Sequence, residues 1–131
     1  MIGLDTNILV RYLAQDDVVQ SPIATDLVEN RLSEHEPGFV STVALAETIW
    51  VLERAYRLNA AQIAGALTRL LQVGTLVVES EEEVFKATVA VQEKRGRFAD
   101  VLIGALAAKS GCIYTVTVDK KALRLAGFRS P

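Results

Sequence analysis

Ile2-Gly3-Leu4-Asp5-Thr6-Asn7-Ile8-Leu9-Val10-Arg11-Tyr12-Leu13 opens with a short apolar run, crosses a polar junction and continues with apolar residues at helical spacing. Residues 2–5 read as a strand, and Ile8, Leu9, Tyr12 and Leu13 share one face of the helix that follows. Asp5 stands where strand becomes helix. The same alternation recurs along the chain. Residues 39–41 read as a second strand, before a helix carrying Val43, Ala46, Ile49, Trp50 and Leu52, and residues 76–79 read as a third. Residues 113–116 form a last strand, expected to be buried and to end near Asp119. Strand followed by helix, in Val, Ile and Leu runs without strict polar alternation, predicts an α/β fold: a mostly parallel central sheet of four to five strands with helices on both faces.

Punctuation supports the helices. Ser21-Pro22 reads as a helix start, Asn59 with Gln62 and Ser80 with Glu83 read as capping boxes, and Asp100 is expected to open the apolar helix of residues 101–108. Glu36-Pro37-Gly38, Gly74, Gly96 and Gly111 interrupt the periodic segments. Gly104, inside an apolar helix, predicts close packing of that helix. No repeat or linker-like segment breaks the 131 residues, so residues 1–131 are expected to form a single domain.

Half of the residues are hydrophobic and 23% are charged, with 14 Lys and Arg against 16 Asp and Glu for a net charge of −2. A broad basic surface is therefore excluded, and any nucleic-acid contact must be local. One cysteine, Cys112, rules out an internal disulfide, and with one histidine, His35, it cannot complete a usual zinc set. Cys112 reads as a small core residue and His35 as a surface residue. A reducing cytoplasm fits this cysteine usage. The early Asp5 leaves no room for an export signal, and no apolar run approaches the ~18 residues of a membrane span.

In parallel α/β sheets, ligands bind beyond the carboxyl ends of the strands. Asp5 follows the first strand, Glu47 lies in the helix after the second, Asp100 opens the helix before the last strand, and Asp119 follows that strand. Each has a plain structural reading. Asp5 and Asp100 can serve helix starts, Asp119 can shape a turn, and Glu47 can meet a buried partner such as an arginine. Glu47 is the most informative, because Val43, Trp50 and Val51 are its helical neighbours and predict an apolar setting. Clustered carboxylates need a neutralising cation, and oxygen ligands without His or Cys suit Mg2+ or Mn2+. Hydrolysis of phosphodiesters or phosphomonoesters is the chemistry such a site serves.

Asp5-Thr6-Asn7-Ile8-Leu9-Val10-Arg11-Tyr12-Leu13, Ser41-Thr42-Val43-Ala44-Leu45-Ala46-Glu47, Phe98-Ala99-Asp100-Val101-Leu102-Ile103 and Thr115-Val116-Thr117-Val118-Asp119-Lys120-Lys121-Ala122 together resemble the PIN-domain ribonucleases, specifically VapC-type toxins of bacterial toxin-antitoxin pairs. The resemblance implies a three-layer PIN-like fold and a Mg2+- or Mn2+-dependent endoribonuclease. It makes Asp5 and Asp100 the firmest metal ligands, with Glu47 and Asp119 as ligands or water-orienting partners. Thr6, Asn7 and Thr117 would support them, and a homodimer with a cognate antitoxin is implied.

Close relatives often carry an aspartate where this chain has Arg97, which departs from the pattern and offers a phosphate contact instead. Arg11 and Lys120 are further RNA-contact candidates on a local basic rim. Two other readings stay open. A phosphorelay receiver shares the fold class, but expects adjacent acids where this chain has Asp5-Thr6-Asn7. A catalytically silent RNA- or protein-binding PIN module is motivated by Arg97.

Overall fold

Strands β1 (Ile2–Gly3), β2 (Gly38–Val40) and β3 (Leu76–Val78) lie side by side in that order, all parallel. Gly3 pairs with Phe39, and Val40 with Val78. Parallel neighbours need long crossovers, and helices supply them. Between β1 and β2 run α1 (Thr6–Ala14), α2 (Gln20–Asp26) and a π turn, Leu27–Arg31; between β2 and β3 run α3 (Thr42–Arg54) and α4 (Ala60–Leu71). These elements make up the first of two compact units, Met1–Glu79 and Ser80–Pro131. The computed structural model describes residues 1–131.

The first unit buries what its periodicity predicts. Leu9 and Leu13 of α1 are buried, and α1 packs on α2 and α3. On α3 the buried stripe is Leu45, Thr48, Ile49 and Leu52, and on α4 it includes Ile63, Leu67 and Leu70. Full burial of each such Leu or Ile contributes roughly 1.5–3 kcal/mol.

Helix starts divide by chemistry. The Asn59 box forms as expected: Gln62 N–H donates to Asn59 Oδ1 at 2.9 Å, and Asn59 N–H donates to Gln62 Oε1 at 2.9 Å. Ser21 does not start α2. Asp17 Oδ1 accepts from the N–H groups of Val19 and Gln20, while the buried Ser21 hydroxyl donates to the Arg11 carbonyl. The Ser21 hydroxyl also accepts from the Asp17 N–H at 3.3 Å, so the two side chains brace the turn before α2 from both ends.

In the second unit α5 (Glu81–Gln92) packs on α6 (Phe98–Lys109). Strand β4 (Thr115–Val116) pairs in parallel with β5 (Phe128–Arg129), joined through a 3-10 turn at Ala122–Arg124. The α/β class and parallel pairing therefore hold, with β1, β2 and β3 paired side by side and β4 paired with β5. Neither β4 nor β5 exceeds two residues, too short for periodicity to reveal its partner. Ile113, expected in a buried strand, is 89% exposed, and Cys112 is also exposed.

The second capping box does not form. Ser80 adopts a left-handed conformation with φ 52° and makes no cap bond. Its hydroxyl instead accepts from Lys109 Nζ at 3.2 Å, and the same ammonium pairs with the buried Glu83 at 3.2 Å. The ion pair takes Glu83 away from the role its spacing suggested. Gly104 behaves as its position predicted: a Cβ there would stand 2.6 Å from Cε2 of Phe128 on β5.

Candidate active site

All three strands of the first unit end at one edge, because they are parallel and in step. Asp5 lies two residues past β1, Ser41 one past β2 and Glu79 one past β3. The Asp5 carbonyl accepts from the N–H groups of Ile8 and Leu9, starting α1, but its side chain makes no cap bond. The carboxylate is thus not consumed by the helix. Thr6 beside it is buried and Asn7 is exposed.

Helix α3 begins at the same edge. Ser41 Oγ accepts from Ala44 N–H at 3.1 Å. Glu79 Oε1 accepts from both the N–H of Thr42 at 2.8 Å and its hydroxyl at 3.0 Å. Glu79 closes the third strand of the sequence pattern, where the strand-end rule that singles out Asp5 applies to it equally. Glu47 follows on α3, and its setting corrects the expectation. It is exposed, Val43 and Trp50 on the same side are 77% and 53% exposed, and Arg54 lies over the Trp50 ring at 5.6 Å. The stripe that α3 buries is the one without Glu47, so no desolvation cost acts on this carboxylate.

Arg11 is engaged within its unit. Its guanidinium donates to Gln20 Oε1 at 2.8 Å, to Asp16 Oδ1 at 3.4 Å and to the Tyr56 hydroxyl at 3.3 Å. Hydrogen bonding to Asp16 is the main cause of a raised Tyr56 pKa.

In the second unit α6 starts earlier than expected. Arg97 flanks it, the fully buried Phe98 is its first residue, and Asp100 is the third, half-buried in the first turn. A carboxylate there faces the positive end of the helix dipole. Past β4, Thr117 Oγ1 accepts from Asp119 N–H at 3.0 Å, and Asp119 Oδ1 accepts from the N–H groups of Lys121 at 2.8 Å and Ala122 at 3.0 Å. Asp119 therefore shapes the turn, as residue type and position predict, while its second oxygen takes no part in these bonds. Those two amide bonds, chiefly Ala122's, hold the Asp119 carboxyl below its ordinary pKa, with smaller help from the charges of Lys121 and Arg97. Lys120 and Arg97 are exposed.

The four acids are thus divided, with Asp5 and Glu47 in the first unit and Asp100 and Asp119 in the second. No three His, Cys, Asp or Glu side chains form a group able to hold a metal ion. The donor chemistry, carboxylate oxygen throughout, is that of a Mg2+ or Mn2+ site. A groove of about 820 Å3 in the second unit, lined by Phe85, Val101, Leu125 and Phe128 among others, includes none of the four acids. No helix is long and apolar enough to cross a membrane.

The sequence pattern of the PIN domain family matches residues 2–128, from β1 into β5. Among curated proteins, none matches the chain.

Proposed function

The chain belongs to the PIN domain family, a nuclease-type fold, and on that premise we propose that it is a metal-dependent endoribonuclease acting through Asp5, Glu47, Asp100 and Asp119. The observation that carries the proposal is that the family match runs through all four acids. The exposed strand-end carboxylate of Asp5, unspent on helix capping, supports it. In this reading Asp5 and Asp100 are the main ligands of Mg2+ or Mn2+, with Glu47 and Asp119 as further ligands or as acceptors that orient water. Such an ion, when bound, activates water and stabilises charge on the phosphoryl and leaving oxygens.

The chain's own residues have separable tasks. The amides of Ala122 and Lys121 favour the charged form of the Asp119 carboxyl and lower its pKa. Thr117 fixes the backbone of that turn. Asp100 takes its place from the buried Phe98 two residues earlier. Arg97 and Lys120 contact RNA phosphates, with Arg97 putting a positive charge where close relatives often have an acid. Arg11, which donates to Gln20, Asp16 and Tyr56, is a further candidate for such a contact. We place the protein, on the motifs quoted above, as a VapC-type toxin of the cytoplasm, a homodimer restrained by a cognate antitoxin.

The test is incubation of the protein with total cellular RNA in Mn2+ or Mg2+ and again in EDTA, beside Asp100→Asn. Discrete fragments are expected only with metal and intact Asp100, with loss on the order of 100-fold or more in the variant. Cleavage that survives Asp100→Asn removes Asp100 from the centre. Tight RNA binding with no metal-dependent cleavage replaces the nuclease with a silent binding module.

A further inference from the structure

Glu79 is the one carboxylate at the carboxyl edge of the three-stranded sheet that the four-acid reading leaves without a task. Its backbone continues the parallel ladder, Glu79 N–H donating to the Val40 carbonyl at 2.9 Å. Its side chain reaches across one strand spacing to the first residue of α3. There a single oxygen, Oε1, accepts two bonds from Thr42, one from the backbone N–H and one from the hydroxyl. Unpaired N–H groups and the helix dipole make this end of α3 a favourable place for a negative charge. The first turn of α3 is thus held twice: by Ser41, which belongs to the same segment, and by Glu79, which belongs to another strand.

The two holds do different work. Ser41 satisfies the Ala44 amide wherever the helix lies, because both residues travel together. Glu79 ties the helix start to β3 and so sets where α3 stands against the sheet edge. Glu47 is five residues beyond Thr42 on the same unbroken helix, roughly 7.5 Å along its axis. Asp5 lies on that same edge, level with Ser41 in the strand register. We infer that Glu79 is a positioning residue: by holding the Thr42 end of α3 to β3 it fixes the placement of Glu47 relative to Asp5. This rests on the nuclease reading for its consequence in rate, but the hold itself is a property of the fold.

Two variants of Glu79 separate position from charge. Glu79→Gln keeps an oxygen that accepts both Thr42 bonds, whereas Glu79→Ala removes the acceptor. Hydrogen exchange of the Thr42 amide reads the hold without any reaction. Exchange is expected to quicken by about tenfold in Glu79→Ala and to stay near wild type in Glu79→Gln. For RNA cleavage in Mn2+, kcat is expected to fall by about 10- to 100-fold in Glu79→Ala with KM little changed, and to recover largely in Glu79→Gln. Thr42→Val, which keeps the N–H and loses the hydroxyl, should fall between the two and serves if Glu79→Ala folds poorly.

Unchanged exchange in Glu79→Ala overturns the hold. Equal loss of kcat in the Gln and Ala variants overturns positioning in favour of charge. An unchanged kcat in Glu79→Ala, while Asp100→Asn is inactive, overturns the link to Glu47 and leaves the nuclease standing. If wild-type protein cuts no RNA, the nuclease reading and its rate consequence fall together, and exchange alone decides the hold.

Discussion

The two units carry similar apolar sequence and use it differently. In Met1–Glu79, each main helix has a stripe of aliphatic residues that becomes its buried face, and the opposite side is exposed. In Ser80–Pro131, α6 is apolar nearly all round, yet only Phe98 and Leu102 are buried, while Ile103 is 55% exposed. Ile113 and Val118, at 89% and 83%, are more exposed still. A stripe tells a helix which way to turn, because one orientation removes far more apolar surface from water than any other. A uniformly apolar helix has no such preference of its own, and its neighbours decide what it covers.

The sharpest way to break this comparison is to truncate one large residue in each unit. Leu67→Ala, at a fully buried position of α4, is expected to destabilise the protein by about 2–5 kcal/mol, read from denaturant unfolding. Ile113→Ala is expected to stay within about 0.5 kcal/mol of wild type, as exposed sites do. Equal losses would show that Ile113 is covered in solution and erase the contrast.

Packing within the second unit is tight in one place, and a smaller change tests it. Gly104→Ala would drive a methyl to 2.6 Å from the Phe128 ring, so a loss of about 1–3 kcal/mol is expected. Combining it with Phe128→Leu should recover part of that loss. Full tolerance of Gly104→Ala would mean that β5 moves freely against α6.

The smallest effect concerns charge at the end of β4. Asp119 has its pKa lowered in the folded chain from the ordinary 3.8 by the Ala122 and Lys121 amides. A depressed folded value means that its contribution to stability is present above pH 3.8 and is lost as pH falls through the folded value. Asp119 is fully exposed, so that contribution is strongly screened. Carboxyl chemical shifts followed against pH should place its midpoint below that of an aspartate in an unstructured peptide of the same local sequence; a midpoint at or above the peptide's would remove the amide bonds from the solution structure.

Much of the first unit was legible because its signals are local. The Asn59 box needs only residues three apart, and the α4 stripe needs only helical spacing. The Ser80 box had the same spacing and failed, because Lys109, 29 residues away, offered Ser80 a different bond and Glu83 an ion pair. The exposure of Glu47 has a related cause. Val43, Glu47 and Trp50 do share one side of α3, but spacing identifies a side without saying whether anything covers it.

Residue type and order by themselves determined the α/β class, the parallel strands, the family and the positions of Asp5, Asp100 and Asp119 next to strand or helix ends. Those follow from backbone geometry and short-range periodicity, which any segment carries within itself. Tertiary structure decided which strands pair, which side of α3 meets solvent, and that Glu79 reaches Thr42 across a strand. Each of these sets competing partners against one another, and the free energy that chooses among them comes from contacts between residues far apart in the chain.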